Sequence, residues 1–269
     1  MHRDNRGEGS TPILTIEDAR ATIRLNRPRH LNRLQPEDLA ALVDIFDRIE
    51  RDAAVRVLVL TGTGRAFSAG YDLGDIAARS ARDNDSIADE EPVGPAFEQV
   101  ANRLEDLPIP TICRLNGGVY GGSTDLALAC DFRIGVESCE MMMPAARLGL
   151  HYYKSGMVRY VSRLGLAAAK TLFLTARKLD AAEMLRIGYL DEVVPADRLD
   201  ARVDALAATL AENAPVAIRG MKRTLNEIAR GKLDEGAADE RHRQSMRGDE
   251  IKEGVAAFAT KRSPRFGAR

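Results

Sequence analysis

Thr111-Ile112-Cys113-Arg114-Leu115-Asn116-Gly117-Gly118-Val119-Tyr120-Gly121-Gly122-Ser123-Thr124-Asp125-Leu126-Ala127-Leu128-Ala129-Cys130-Asp131 opens as a buried strand, runs through a glycine turn and continues as an apolar helix. The helix is expected to begin at Gly121-Gly122. Its first N–H groups have no partner inside the helix, so they face whatever lies in front of it. An acid, Asp125, stands one turn inside. The segment therefore reads as an anion site with a carboxylate at its edge.

About fifty residues upstream, Val57-Leu58-Val59-Leu60-Thr61 runs into Gly62-Thr63-Gly64-Arg65-Ala66-Phe67-Ser68-Ala69-Gly70-Tyr71-Asp72-Leu73. Here too a buried-strand run ends in small residues that let a backbone approach a ligand. Two N–H donors from two strand ends can converge on one oxygen. Such a pair is worth a few kcal/mol per donor when charge develops on a thioester carbonyl.

Taken together, Ala66-Phe67-Ser68-Ala69-Gly70-Tyr71-Asp72-Leu73 and the Asn116 to Asp131 segment resemble the crotonase (enoyl-CoA hydratase/isomerase) superfamily. Further segments fit in order: Asn26-Arg27-Pro28-Arg29-His30-Leu31-Asn32, Pro144-Ala145-Ala146-Arg147-Leu148-Gly149-Leu150, and Phe258-Ala259-Thr260-Lys261-Arg262. The resemblance spans Leu14 to Phe266. It implies an α/β protein with the ClpP/crotonase ββα spiral fold and a helical C-terminal trimerisation region. A homotrimer or a hexamer is the expected assembly.

The resemblance places the two donors on the backbone N–H groups of Tyr71 and Gly122, with Gly121 in the same turn. It assigns coenzyme A to the segment Arg29-His30-Leu31, to the loop Ala66 to Ala69 with Ser68 inside it, and to the neighbouring Gly70, Asp72 and Leu73. Arg29 and Lys261 are the expected phosphate cations. Where the family often carries a lysine three residues past the first donor, this chain has Gly74. Coenzyme A enters as part of the substrate, and neither a prosthetic group nor a metal is expected.

Hydratases of the family use two glutamates. The first position here is Asp125, shorter by a methylene, and the second is Ala145, which moves no proton. Asp125 is the candidate acid/base; its alternative role is to hold the glycine turn by hydrogen bonding. The loop Gly149-Leu150-His151-Tyr152-Tyr153-Lys154-Ser155-Gly156 carries four titratable side chains in a row, and Tyr152, Tyr153 and His151 are candidates to replace the missing acid, in that order. A subunit contact or a plug of the acyl pocket is the rival role for that loop. The expected reaction is hydration or dehydration of an enoyl-CoA through an enolate. Isomerisation, decarboxylation and acyl-CoA hydrolysis remain open, as does a binding protein that has lost catalysis.

Composition sets the outer limits. Among 269 residues, 45% are hydrophobic and 29% charged, as in an ordinary globular protein. The 39 basic and 40 acidic residues give no overall charge with which to hold nucleic acid or a membrane. No apolar run approaches the roughly twenty residues of a membrane span, and the N-terminus lacks the apolar region of a signal peptide. Cys113, Cys130 and Cys139 have no metal-ligand spacing and read as buried thiols in a cytoplasmic protein.

Pattern reading divides the chain into a disordered N-terminus over 1–11, an α/β core over 12–195 and a helical region over 196–269. A hairpin is expected at Ile13–Ile16 and Ala21–Leu25, turning at Glu17-Asp18. A helix starts at Pro36 with Leu39, Leu42, Val43, Phe46 and Ile49 as its apolar stripe. Residues 78–95 read as a mobile loop ahead of a helix from Ala96 to Leu107; the family resemblance implies that this loop covers the acyl chain. Later helices are expected over Gly156–Leu164, Leu166–Leu174, Ala181–Ile187, Leu199–Asn213, Pro215–Ala229 and Asp249–Thr260. No internal repeat is visible.

Overall fold

The computed structural model describes residues 9–80 and 96–267. Most of the expected N-terminal tail and of the expected acyl-covering loop therefore lies outside the described residues. Ser10 lies inside them, and it is tied down: its N–H donates to the Asn26 carbonyl at 2.7 Å.

Strands β1 (Ile13–Glu17) and β2 (Arg20–Leu25) form the hairpin, and helix α1 (Pro36–Arg51) follows. Proline at its first turn and the Asp38 carboxylate on the Gln35 N–H fix the start of α1. The chain then repeats one unit: β3 (Val57–Gly62), β4 (Ala66–Ser68) and α2 (Leu73–Ser80), with α3 (Phe97–Asp106) after it; next β5 (Thr111–Leu115), β6 (Gly118–Tyr120) and α4 (Gly122–Ala129); then β7 (Phe132–Val136) and β8 (Glu140–Met142). In each unit the first strand joins one sheet and the second joins another. The larger sheet has the order β1-β2-β3-β5-β7-β10 and is parallel from β2 onward. The smaller runs β4-β6-β8-β9.

Helices α5 (Lys154–Leu164) and α6 (Leu166–Thr175) precede β9 (Leu179–Asp180), α7 (Ala181–Arg186) and β10 (Glu192–Val194). The chain closes with α8 (Leu199–Glu212), α9 (Pro215–Ala229), α10 (Glu235–Arg247) and α11 (Asp249–Ala259). Of these, α10 has no counterpart in the pattern reading. Its sequence, Glu235-Gly236-Ala237-Ala238-Asp239-Glu240-Arg241-His242-Arg243-Gln244-Ser245-Met246-Arg247, lacks an apolar stripe, and none of its residues is buried. Arg241 ties it to α9 instead, pairing with Glu227 at 2.5 Å and donating to Thr224 Oγ1 at 3.1 Å.

The three-residue strands of the smaller sheet also escape the pattern, because they are too short for a period of two to register. Helix α5 begins two residues earlier than expected, at Lys154. Among the described residues no helix is long and apolar enough to cross a membrane.

Two asparagines pin the turns that carry the glycine motifs. Asn32 Nδ2 donates to the carbonyls of Thr63, Ala66 and Phe67 at 2.9 to 3.1 Å, while its Oδ1 accepts the Arg27 N–H. Asn116 Nδ2 reaches the Gly64 and Ala66 carbonyls, and its Oδ1 accepts the Gly62 N–H. Buried carbonyls left without a donor are costly. Asn32→Ala should lower unfolding stability by about 2 to 4 kcal/mol, read as a lower urea midpoint at unchanged slope.

Candidate active site

The two glycine turns meet. Gly70 takes φ of +93°, and a Cβ there would stand 2.6 Å from the Tyr120 carbonyl and 3.3 Å from the Gly122 nitrogen. Only glycine satisfies both constraints at this position. A chain of hydroxyls ties the turns together. Ser123 Oγ donates to Ser68 Oγ at 2.7 Å, Ser68 Oγ donates to the Asn32 carbonyl at 2.7 Å, and the Gly70 N–H donates to Ser68 Oγ. Ser68 and Ser123 are fully buried, so the Ser68 side chain is structural and only its backbone can face a ligand.

Tyr71 pairs with Leu34 in a parallel bridge whose bonds run from the Leu34 N–H to the Gly70 carbonyl and from the Asp72 N–H to the Leu34 carbonyl. The Tyr71 N–H is thereby turned to the side away from Leu34. Gly122 is the first residue of α4, where an N–H has no acceptor within its helix. A Cβ on Gly122 would lie 3.0 to 3.3 Å from the Phe97 ring, and Phe97 meets the Tyr71 ring edge-on at 6.1 Å. Tyr71 OH bonds Asp75 at 2.5 Å.

Asp125 lies one turn above Gly122 and is fully buried. Its Oδ2 accepts from Arg159 Nη1 at 2.5 Å and from Tyr153 OH at 2.5 Å. Its Oδ1 is buried and takes no hydrogen bond among the described residues. Arg159, 2% exposed, is gripped from its other side by α3: Nη2 donates to Asn102 Oδ1 at 2.8 Å and to Glu105 Oε2 at 3.1 Å. Glu105 in turn accepts from Arg163 at 2.9 Å and from Arg230. Burial alone would raise the Glu105 carboxyl; the charge and hydrogen bonding of Arg159, with Arg163 and Arg230 beside it, hold it below its ordinary value.

These contacts fix how three helices are aligned. Phe97 and Glu98 open α3, Gly122 opens α4, and Ser155 stands in the first turn of α5. Phe97 lies on Gly122, and Ser155 Oγ donates to Glu98 Oε1 at 2.6 Å. One turn further on, Asn102, Asp125 and Arg159 meet. The helices therefore run parallel with their N-termini at one end, and their partial positive ends favour negative charge there.

The tyrosine loop divides. Tyr153, not Tyr152, is the residue on Asp125; Tyr152 sits one step out, its OH donating to Tyr153 OH at 3.0 Å with the rings stacked at 4.2 Å. Burial, followed by the Asp125 charge, pushes both phenols well up. Tyr153 donates to Asp125, and Tyr152 donates to Tyr153. His151 is exposed, with Nδ1 at 2.9 Å from the Tyr152 carbonyl. Ala145 is buried in the turn after Pro144.

The segment expected to meet coenzyme A is assembled: the Ala69 N–H donates to the Leu31 carbonyl at 2.7 Å, and the Leu34 N–H to the Gly70 carbonyl at 2.8 Å. Arg29 and His30 are exposed beside it, and Leu31 is half-buried at φ +51°. Ala66 is buried and Ala69 half-buried. Asp72 caps the start of α2, accepting the Gly74 N–H at 2.7 Å and pairing with Arg33; Leu73 is exposed. The Gly121 N–H is used by the Met142 carbonyl. Lys261 is exposed after α11, its N–H on the Phe258 carbonyl, and shares no hydrogen bond or ion pair with this cluster.

Residues 15–269 match the enoyl-CoA hydratase/isomerase family profile. The chain belongs to that family. It is 34% identical to the 1,2-epoxyphenylacetyl-CoA isomerase of Escherichia coli, covering 93% of this chain and 96% of that one. It is 30% identical to the short-chain-enoyl-CoA hydratase of Clostridium acetobutylicum, covering 93% and 95%. The solved enoyl-CoA hydratase of Bacillus anthracis superposes with a TM-score of 0.84 at 29% identity, covering 97% of this chain and all of that one. Hydratases and isomerases thus both stand among the relatives of this enzyme.

Arg159, Asn102 and Glu105 are absent from the sequence reading. Their signal is an arginine on the buried stripe of α5, with Gly156 and Tyr160, and a glutamate on that of α3, with Val100, Ala101 and Leu104. Charges at such positions need partners. Arg159→Met leaves Asp125 buried and unpaired and should cost about 3 to 5 kcal/mol. Adding Asp125→Asn should recover much of that loss, because Glu105 keeps Arg163 and Arg230. Thermal melts of the single and double variants measure the recovery.

Proposed function

We propose that this chain binds acyl-CoA thioesters and adds water across, or removes it from, the α,β double bond of an enoyl-CoA. The observation that carries this reading is the unpartnered Asp125 Oδ1, set one turn above Gly122 where three helix N-termini converge. In the forward direction the water oxygen bonds to the β-carbon. The π electrons move toward the thioester oxygen, where the Tyr71 and Gly122 N–H groups stabilise the developing enolate. Asp125 Oδ1 takes one water proton and returns it to the α-carbon, giving the 3-hydroxyacyl thioester. Arg159 and Tyr153 hold Oδ2 throughout. Since Asp125 is fully buried, the acyl group reaches it by displacing the half-buried ring of Phe97, while Tyr153 stays on Oδ2.

Ala145 favours a second reading, isomerisation, in which the same oxygen removes an α-proton from a 3-enoyl-CoA and returns it at the γ-carbon. Initial rates on crotonyl-CoA against a 3-enoyl-CoA separate the two. In either case Asp125→Asn should lower turnover by a factor on the order of 10² or more. Full activity in that variant overturns both readings.

In this reading coenzyme A lies along Arg29-His30-Leu31 and the Ala66 to Gly70 loop, with Arg29 and Lys261 near its phosphates and Asp72, Leu73 and Gly121 flanking the acyl entrance. It arrives with the substrate, and no prosthetic group takes part. The region 196–269 carries assembly into a trimer or hexamer. Support comes from apolar side chains left exposed on α9 and α11, such as Met221 at 57%, Leu225 at 65% and Phe258 at 88%. Light scattering at micromolar concentration should give the mass of three or six chains. The three buried, unpaired cysteines support a cytoplasmic location.

A further inference from the structure

The proposed hydration leaves one task unassigned. Oδ1 of Asp125 moves a single proton, and Ala145 cannot hold the attacking water. We propose that Glu98 holds it; the inference rests on the hydration reading above. Glu98 stands in the first turn of α3, next to Phe97, whose ring lies on Gly122. Its Oε1 is fixed by Ser155 Oγ at 2.6 Å, two residues beyond Tyr153, whose hydroxyl is on Asp125.

Glu98, Asn102 and Glu105 form one face of α3 at a spacing of four and three residues, and each meets α5: Ser155, Arg159, then Arg159 with Arg163. The inner two rungs of this ladder are closed by the Arg159 guanidinium, which also carries Asp125. The outer rung is not. Glu98 is half-buried, has no ion pair among the described residues and gives only Oε1 to Ser155, so Oε2 is left to take a water. The same ladder that fixes Asp125 thus places a second carboxylate one turn nearer the helix N-termini.

The atoms balance with one proton in motion. One water O–H donates to Glu98 Oε2 and stays on the oxygen, becoming the product hydroxyl. The other proton passes to Asp125 Oδ1 and then to the α-carbon as the C–O bond forms. Glu98 keeps its charge from start to finish, which suits a carboxylate at three helix N-termini.

Two reactions tell the roles apart. Exchange of α-protons of butyryl-CoA in deuterium oxide needs the base and the oxyanion donors but no attacking water. Hydration of crotonyl-CoA needs all three. In Glu98→Gln and Glu98→Ala we expect hydration kcat to fall about 10- to 100-fold with exchange within two-fold of wild type, whereas Asp125→Asn should abolish both. Unchanged hydration in the Glu98 variants overturns the assignment, and so does an equal fall in both reactions, which marks a purely structural role. If Asp125→Asn keeps both reactions, the hydration reading itself fails, independently of Glu98. Wild type that exchanges α-protons but leaves crotonyl-CoA untouched removes the water and its holder together.

Discussion

The interaction on which the site depends is the buried guanidinium of Arg159 between Asp125 and Glu105. It joins α3, α4 and α5 through charges that are all withdrawn from water. An ion pair of this kind adds little net stability over an apolar replacement, but losing one member is expensive. Its value here is geometric. Because Glu105 also takes Arg163 and Arg230, the guanidinium is anchored from behind and presents a fixed edge to Asp125. The carboxylate can then rotate neither toward solvent nor toward the glycine turn, and one oxygen is kept free of protein donors.

Much of the fold was legible because its signals are local. The start of α1 at Pro36, the bounds of α9 at Pro215–Ala229 and the glycine turn into α4 follow from caps, proline positions and apolar stripes. The ββα repeat on which the chain is built follows from the family resemblance and not from local patterns. Its second strands span three residues and owe their order to neighbouring sheet partners, so no sequence period records them. Helix α10 was invisible for the opposite reason: it is polar all round and tied to α9 through the Arg241–Glu227 ion pair. Patterns of burial cannot announce an element that buries nothing.

The site was half legible. Asp125 and the two turns stand in contiguous motifs, so their meeting at Gly70 and Gly122 was foreseeable. The tyrosine loop was read as dense in titratable groups, which it is. Both rings pack against Gly156, where a side chain would collide with each, and nothing in the loop's sequence distinguishes the one that reaches Asp125. The partners of Asp125, Tyr153 and Arg159, lie 28 and 34 positions away, and no motif links them to it. What the sequence did contain was a misplaced charge: an arginine and a glutamate on stripes that otherwise read as core.

The hydroxyl chain from Ser123 through Ser68 to Asn32 has a wider effect. It locks the spacing of the two turns from beneath, in a layer where no acyl group reaches. In the binding mode proposed above, the acyl group meets the rings of Phe97 and Tyr153, which hang on α3 and on the start of α5. Spacing and selectivity are thus uncoupled: one layer keeps a fixed gauge while the other is free to be re-cut for a different acyl shape. A scaffold arranged in this way can change what it accepts without changing how it grips the thioester.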